Sequence, residues 1–196
     1  MNPALTDVSV LLVFFNRPDT FAQVFGQVRK ARPARLFLYQ DGARNDNDLA
    51  GMEACRKIAG NVDWECEVHR FYQQSNYGCN PSGYIAHKWA FSLTDKCIVI
   101  EDDVVPAVSF FGFCKEMLDR YENDERIGMI AGFNPEEISD CDGDYLFNSN
   151  FSIWGWASWR RVIDKWDENY DFLRNPYALS RLNAMIRERK LRKDFM

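Results

Sequence analysis

The stretch Cys97-Ile98-Val99-Ile100-Glu101-Asp102-Asp103-Val104-Val105-Pro106 decides how this chain reads. An apolar run of strand length stops abruptly at three successive carboxylates. Such a cluster repels itself, and it needs a reason to stand at the end of a buried strand. At the carboxyl end of a strand in an open α/β sheet, where ligands usually bind, the reason that fits best is a divalent cation shared with an anionic substrate. The reading is a metal-dependent enzyme acting on a phosphorylated compound.

The type of metal follows from the donors. Hard cations such as Mg²⁺ and Mn²⁺ take oxygen ligands and often bind through one or two protein carboxylates plus substrate phosphates and waters. Along an extended segment Glu101 and Asp103 point to one side and Asp102 to the other, so at most two of the three serve one ion. The third is left to hold a sugar or ribose hydroxyl. The plainer reading is a solvated acidic turn, against which stands the anchoring of the acids to the apolar Ile98-Val99-Ile100 run.

Working outward, the chain alternates between short apolar runs and helical periodicities. Val8 to Phe15 is a strand that breaks at Asn16-Arg17-Pro18, and Phe21, Val24, Phe25 and Val28 follow at helical spacing with Asp19 or Thr20 as cap. Leu36 to Tyr39 is a second strand ending at Gln40-Asp41-Gly42, a turn signal. A helix capped by Asp46 or Asn47 runs through Leu49, Met52 and Ile58, and Cys66 to Tyr72 alternates like a strand. After the Asn76-Tyr77-Gly78 loop, a helix from about Ser82 presents Ile85, Trp89 and Leu93, and the acidic strand follows it. A helix striped by Phe110, Phe113, Cys114, Met117 and Tyr121 then leads to a strand over Ile127 to Ala131. The pattern β-α-β-α-β-α-β-α-β predicts an α/β fold with a mostly parallel sheet covered by helices on both faces.

Composition excludes several classes. With 196 residues and 46% hydrophobic content the chain buries a real core. No apolar run of about 18 residues is present, so no membrane span is expected, and no secretory signal precedes Val10, which makes the cytoplasm the default address. The six cysteines stand at irregular spacing without a CxxC pair, and His69 and His87 lie far apart; a reduced, partly buried set is expected rather than zinc or a disulfide framework. His87 is expected to pack or cap. A net charge of -5 argues against general nucleic-acid binding.

After Asn134 the pattern changes. Trp154-Gly155-Trp156-Ala157-Ser158-Trp159 is rich in rings that stack on sugar faces or fill cores, and the glycine between two tryptophans suggests a loop that comes close to a site.

In their order, Val10 to Asn16 with Arg17-Pro18, Tyr39-Gln40-Asp41-Gly42, Asn76-Tyr77-Gly78, Ile100-Glu101-Asp102-Asp103 and Trp154-Gly155-Trp156 resemble the GT-A glycosyltransferases that use nucleotide-diphosphate sugars. Bacterial family-2-like and N-acetylglucosaminyltransferase I-type enzymes are the most similar branches. The resemblance spans residues 8 to about 170. It implies a GT-A, Rossmann-like sheet, residues 1–134 as a donor-binding half and 135–196 as the start of an acceptor-side region of one structural domain. It also implies transfer of a sugar, with UDP as the expected carrier, to a glycan or glycolipid acceptor in polysaccharide biosynthesis. By it, Asp41 recognises the base, Arg17 lies near the diphosphate, Asp103 coordinates Mn²⁺ or Mg²⁺, Asp102 sits near the ribose and Glu101 near the donor sugar, while Trp154 and Trp156 line the substrate site.

An inverting enzyme of this kind needs a carboxylate base on the acceptor side. No clean copy of the family's acidic motif follows Trp159; Asp167 is the candidate, and the alternative expectation is a truncated chain whose base lies beyond Met196. The basic run Arg187 to Lys193 suits a solvated helix face or peripheral contact with anionic lipid at the inner face of a membrane. Two other functions share these residues. One is a nucleotide-sugar-binding module without turnover; the other is a carboxylate-pair glycoside hydrolase, since two residues along a strand span roughly 6.6 Å, within the separation of about 6.5–9.5 Å that inverting glycosidases use. The sequence specifies neither the sugar nor the oligomeric state.

Overall fold

A computed structural model describes residues 1–134, 143–149 and 152–185. Two compact units divide the chain, residues 1–164 and 165–196. The first is built on strands β1 (Thr6–Phe14), β2 (Pro33–Gln40), β3 (Glu67–Tyr72), β4 (Lys96–Glu101), β5 (Ile130–Ala131) and β6 (Trp156–Trp159), in the spatial order β3-β2-β1-β4-β6-β5. β1 pairs in parallel with β2 and β4, and β2 with β3, whereas β6 runs antiparallel to both β4 and β5. The expected mixed α/β fold with a mostly parallel sheet is therefore present. Chain order reverses direction between β1 and β4, which makes the crevice at their carboxyl ends the topological switch point of the sheet.

Strand alternation sorts the core into two layers. Val10, Leu12, Leu36, Leu38, Ile98 and Ile100 face helices α1 (Pro18–Ala31), α2 (Asp46–Ala59) and α4 (Val108–Arg120). Leu11, Phe37, Tyr39, Cys97 and Val99 face α3 (Cys79–Leu93). A sheet buried on both faces explains why these strands read as unbroken apolar runs.

Several local expectations shift. Helix α1 starts with Pro18, whose missing N–H costs nothing at a first helical position, and Arg17 is its N-cap without a side-chain hydrogen bond, in place of Asp19 or Thr20. Helix α2 is capped by Asn45, whose side-chain oxygen accepts from the Asn47 N–H at 3.0 Å. Helix α3 begins at Cys79 and buries Ser82, Ala86, Ala90 and Phe91 rather than Leu93, because the two alanines let its backbone lie close to the sheet. On α4 the buried stripe is Phe111, Cys114, Met117 and Leu118: Cys114 and Met117 are as expected, while the expected Phe110, Phe113 and Tyr121 pack at its margin. The strand expected over Ile127 to Ala131 shortens to its last two residues.

The Trp-Ala-Ser-Trp segment expected as a loop is strand β6. Its two ring ends go to opposite layers, Trp156 beside Leu11 and Val99 and Trp159 beside Met117 and Leu118, with the Trp159 indole N–H donating to the Leu118 carbonyl at 3.1 Å. His87 packs 5.2 Å from the Trp156 ring, where burial pushes its pKa down to about 4.

The first unit closes with a short helix α5 (Arg160–Ile163), and the second carries a 3-10 turn over Asp171–Arg174 and a helix α6 over Pro176–Met185. Asn175 accepts from the Tyr177 N–H at 3.0 Å at the start of α6. Among the described residues no helix is long and apolar enough to cross a membrane. The basic run Arg187 to Lys193 lies outside the described residues.

Candidate functional site

The acidic turn sits where the sheet reverses. β4 pairs with β1 as far as Val13 opposite Glu101, so Glu101, Asp102 and Asp103 emerge beside Phe14-Phe15-Asn16-Arg17 at the carboxyl end of β1. Asp102 turns inward and is 2% exposed; Glu101 and Asp103 stay at the surface. One Asp102 oxygen accepts from the Phe15 backbone N–H at 2.9 Å and the other from Arg17 Nη2. Arg17 Nη1 donates to Asp103 at 2.8 Å. One guanidinium thus spans a buried carboxylate and an exposed one.

Charge in this cluster is unbalanced. Burial alone would lower the Arg17 pKa, but hydrogen bonds and charge from Asp102 and Asp103 outweigh it and raise it. The Glu101 carboxyl is pushed above the ordinary carboxylate range, first by partial desolvation and then by the charges of Asp103 and Asp102, with Arg17 opposing. Three carboxylates face one guanidinium, and the two that reach solvent are oxygen donors of the kind Mg²⁺ and Mn²⁺ take. The donor set fits a hard cation that completes its shell with phosphate oxygens and water. Among the described residues no group of three or more His, Cys, Asp or Glu side chains is placed to enclose a metal by itself, so such a cation would rely on its substrate for ligands.

Asp41 lies at the end of β2 and is 8% exposed. Its carboxylate is occupied by four donors: the Gly42 N–H at 2.9 Å, the Asn76 side-chain amide at 3.0 Å, the Tyr77 N–H at 3.0 and 3.1 Å to its two oxygens, and the Gly78 N–H at 2.9 Å. The carboxylate thereby moulds the 76–78 loop into the start of α3. Gly42 is needed for the same contact, because a Cβ there would meet the Ser75 carbonyl carbon at 2.3 Å. The loop leaves the Tyr77 side chain about half exposed at this edge of the sheet.

A second network flanks β1 on the α2 side, and sequence reasoning missed it. Arg44 forks onto Asp48 through Nε at 2.9 Å and Nη2 at 2.6 Å, and its own N–H adds a third bond at 3.0 Å. Asn16 Nδ2 donates to the same carboxylate at 2.6 Å, and the Arg44 guanidinium lies 5.1 Å over the Phe15 ring. The hydrogen bonds from Arg44 hold the Asp48 pKa down at about 2. Gln40 donates to the Phe15 carbonyl at 2.7 Å and accepts from Arg56 at 2.6 Å. The four-residue spacing of Arg44 and Asp48 at a helix start was the signal available for this pair.

Of the residues picked from the sequence, Arg17, Glu101, Asp102 and Asp103 come together at the β1–β4 crevice. Asp41 stands at the next strand end but one, past β1. Trp156 is in the core, and Trp154, 58% exposed, projects just before β6. Asp167 belongs to the second unit, where its carboxylate accepts from the backbone N–H groups of Asn169 and Asp171.

No family model matches the sequence. A search of curated proteins likewise returns no match. Among solved structures the chain is similar to the crystal structure of 4-diphosphocytidyl-2C-methyl-D-erythritol synthase from Anaerococcus prevotii DSM 20548, with 9% identity, a TM-score of 0.47, and coverage of 80% of this chain and 73% of that one.

Proposed function

We propose that this chain binds a nucleoside-diphosphate sugar along the carboxyl edge of β1 and β4 and transfers the sugar to a hydroxyl acceptor. The observation that carries the reading is the Arg17 guanidinium held across buried Asp102 and exposed Asp103 at the topological switch point, where α/β sheets bind ligands. Asp102, fixed by the Phe15 N–H, is the anchor that orients Arg17. Arg17 exchanges its Nη1 bond to exposed Asp103 for the diphosphate, an oxyanion that guanidinium groups recognise, while Asp102 keeps Nη2. Asp103, with Glu101 beside it, would hold Mn²⁺ or Mg²⁺, which when bound would supply Lewis-acid charge for a departing diphosphate. Asp41 acts through the 76–78 loop it orders, so that Tyr77 and the loop backbone, rather than the occupied carboxylate, face the base.

In the reaction, the bond between the anomeric carbon and the diphosphate oxygen breaks with its electron pair leaving on the nucleoside diphosphate. The acceptor oxygen bonds to that carbon and gives up its proton to a carboxylate base.

Calorimetric titration of UDP and of GDP tests the reading, each with Mn²⁺, with EDTA and with Asp103→Ala. Cation-dependent binding lost in the variant supports it. Binding of neither nucleotide under any condition overturns it, and hydrolysis of a glycoside in EDTA would favour the carboxylate-pair hydrolase instead.

A further inference from the structure

Beyond the acidic turn, the sheet edge ends in a pair of exposed aromatic rings. β5 and β6 pair as Ile130 with Ala157 and Ala131 with Trp156, and the Gly132 N–H continues the ladder by donating to the Gly155 carbonyl at 3.0 Å. The next cross-strand pair is Phe133 with Trp154. Their ring centroids are 4.9 Å apart at 59°. Phe133 is 41% exposed and Trp154 58% exposed, so neither ring is core filler. Gly155, at φ 72°, takes a left-handed conformation that side chains rarely adopt; it lets the strand turn just where Trp154 leaves it.

Register fixes where this pair stands. β4 and β6 place Val99 opposite Trp156, so two residues further along the edge Trp154 is level with Glu101. Neighbouring strands lie about 4.8 Å apart. The edge therefore carries, in spatial order, the 76–78 loop held by Asp41, then Arg17, then the acidic turn, then the Phe133–Trp154 pair. A nucleoside-diphosphate sugar has the same order of chemistry: a base, a ribose, two phosphates and a sugar ring with an apolar C–H face. Aromatic faces pack well on such a ring face.

We infer that Phe133 and Trp154 together form the subsite for the donor's sugar ring, one strand beyond the acidic turn and on the opposite side of it from the base. This rests on the donor reading above and goes beyond it by assigning Phe133 and by separating the sugar subsite from the nucleotide subsite.

The test compares UDP with UDP-glucose, and GDP with GDP-mannose, by calorimetry in Mn²⁺, using the parent chain, Phe133→Ala, Phe133→Leu and Trp154→Ala. Both positions are exposed, and an unchanged thermal midpoint checks folding. The expected result is UDP or GDP affinity within about twofold of the parent, with the sugar-linked form weakened about three- to tenfold in both alanine variants. Phe133→Leu, which keeps apolar area and loses the ring face, is expected to fall between. Equal weakening of both ligand forms, or of neither, overturns the sugar subsite and leaves the nucleotide reading standing. Absence of nucleotide binding in the parent overturns both.

Discussion

Replacing Asp41 by asparagine separates two roles that a carboxylate at this position could have. In the structure both oxygens are taken: Oδ1 accepts from the Gly42 and Tyr77 N–H groups, and Oδ2 from the Asn76 amide and the Tyr77 and Gly78 N–H groups. Asparagine keeps one acceptor but turns the other into a donor that faces donors. Whichever way the amide turns, at least one backbone N–H, that of Gly42 or that of Gly78, loses its partner and faces an N–H donor. Hydrogen bonds to a charged group are worth about 1.5–3 kcal/mol net, and an unsatisfied buried donor costs about 1–3 kcal/mol. With the exposed Asn76 side chain free to find water, Asp41→Asn is expected to cost about 2–4 kcal/mol. That is a large part of the ~5–15 kcal/mol of an ordinary domain. With a urea slope of about 1–3 kcal/mol/M, the denaturation midpoint should fall by roughly 1–2 M. Hydrogen exchange at Tyr77 and Gly78 should rise with it. An unchanged midpoint and unchanged exchange, together with lost nucleotide binding, would refute this reasoning and mean that the carboxylate is free to meet the ligand directly.

Other predictions follow from the same geometry. Arg17→Ala should tighten binding of Mn²⁺ alone, since Asp103 loses its competing guanidinium, and weaken UDP in the presence of Mn²⁺; movement of both in one direction would contradict the exchangeable Arg17–Asp103 contact. His87 has a folded pKa of about 4 against an unfolded value of 6.5, a depressed pKa, so stability is fully present above pH 6.5 and lost as pH falls through about 4. His87→Gln should flatten stability against pH in that window, and an equally steep profile would show that other groups set it. Burial raises the Cys55 thiol to about 11, and Cys97 and Cys114 are also buried and raised, so native alkylation at neutral pH should mark exposed Cys79 well before these three; rapid labelling of Cys55 would show that the packing between α2 and the Arg17 turn opens readily.

The parts of the fold that the sequence made legible are those where burial leaves a continuous apolar signature. β1, β2 and β4 are covered on both faces, and their runs of Val, Leu, Ile and Phe announce them. β5 lies within the longer strand expected over Ile127 to Ala131, whereas β6, Trp156–Trp159, follows a left-handed glycine and reads as an aromatic loop. On α4 the sequence marks Cys114 and Met117 but not Phe111 and Leu118, because Phe110 and Phe113 are as apolar as Phe111 and only packing against the sheet selects among them.

The site shows the same division. A triple acid at a strand end is visible in a linear string. Its pairing with Arg17 spans 85 and 86 residues and exists only because β1 lies beside β4. The donors that occupy Asp41 lie 35 to 37 residues further along the chain, apart from its own neighbour, so a carboxylate that looked available for a base is engaged by a loop. Phe133 carried no local motif at all; the β5–β6 register is what sets it against Trp154.

The most direct test of the central claim is a crystal structure of the chain grown with UDP and Mn²⁺, with anomalous scattering used to find the metal. The account predicts one manganese peak beside the Asp103 carboxylate, the diphosphate between it and Arg17, and Asp102 still holding the Phe15 N–H. A nucleotide bound away from the β1–β4 crevice, or manganese on other side chains while Arg17 keeps both aspartates, would contradict it.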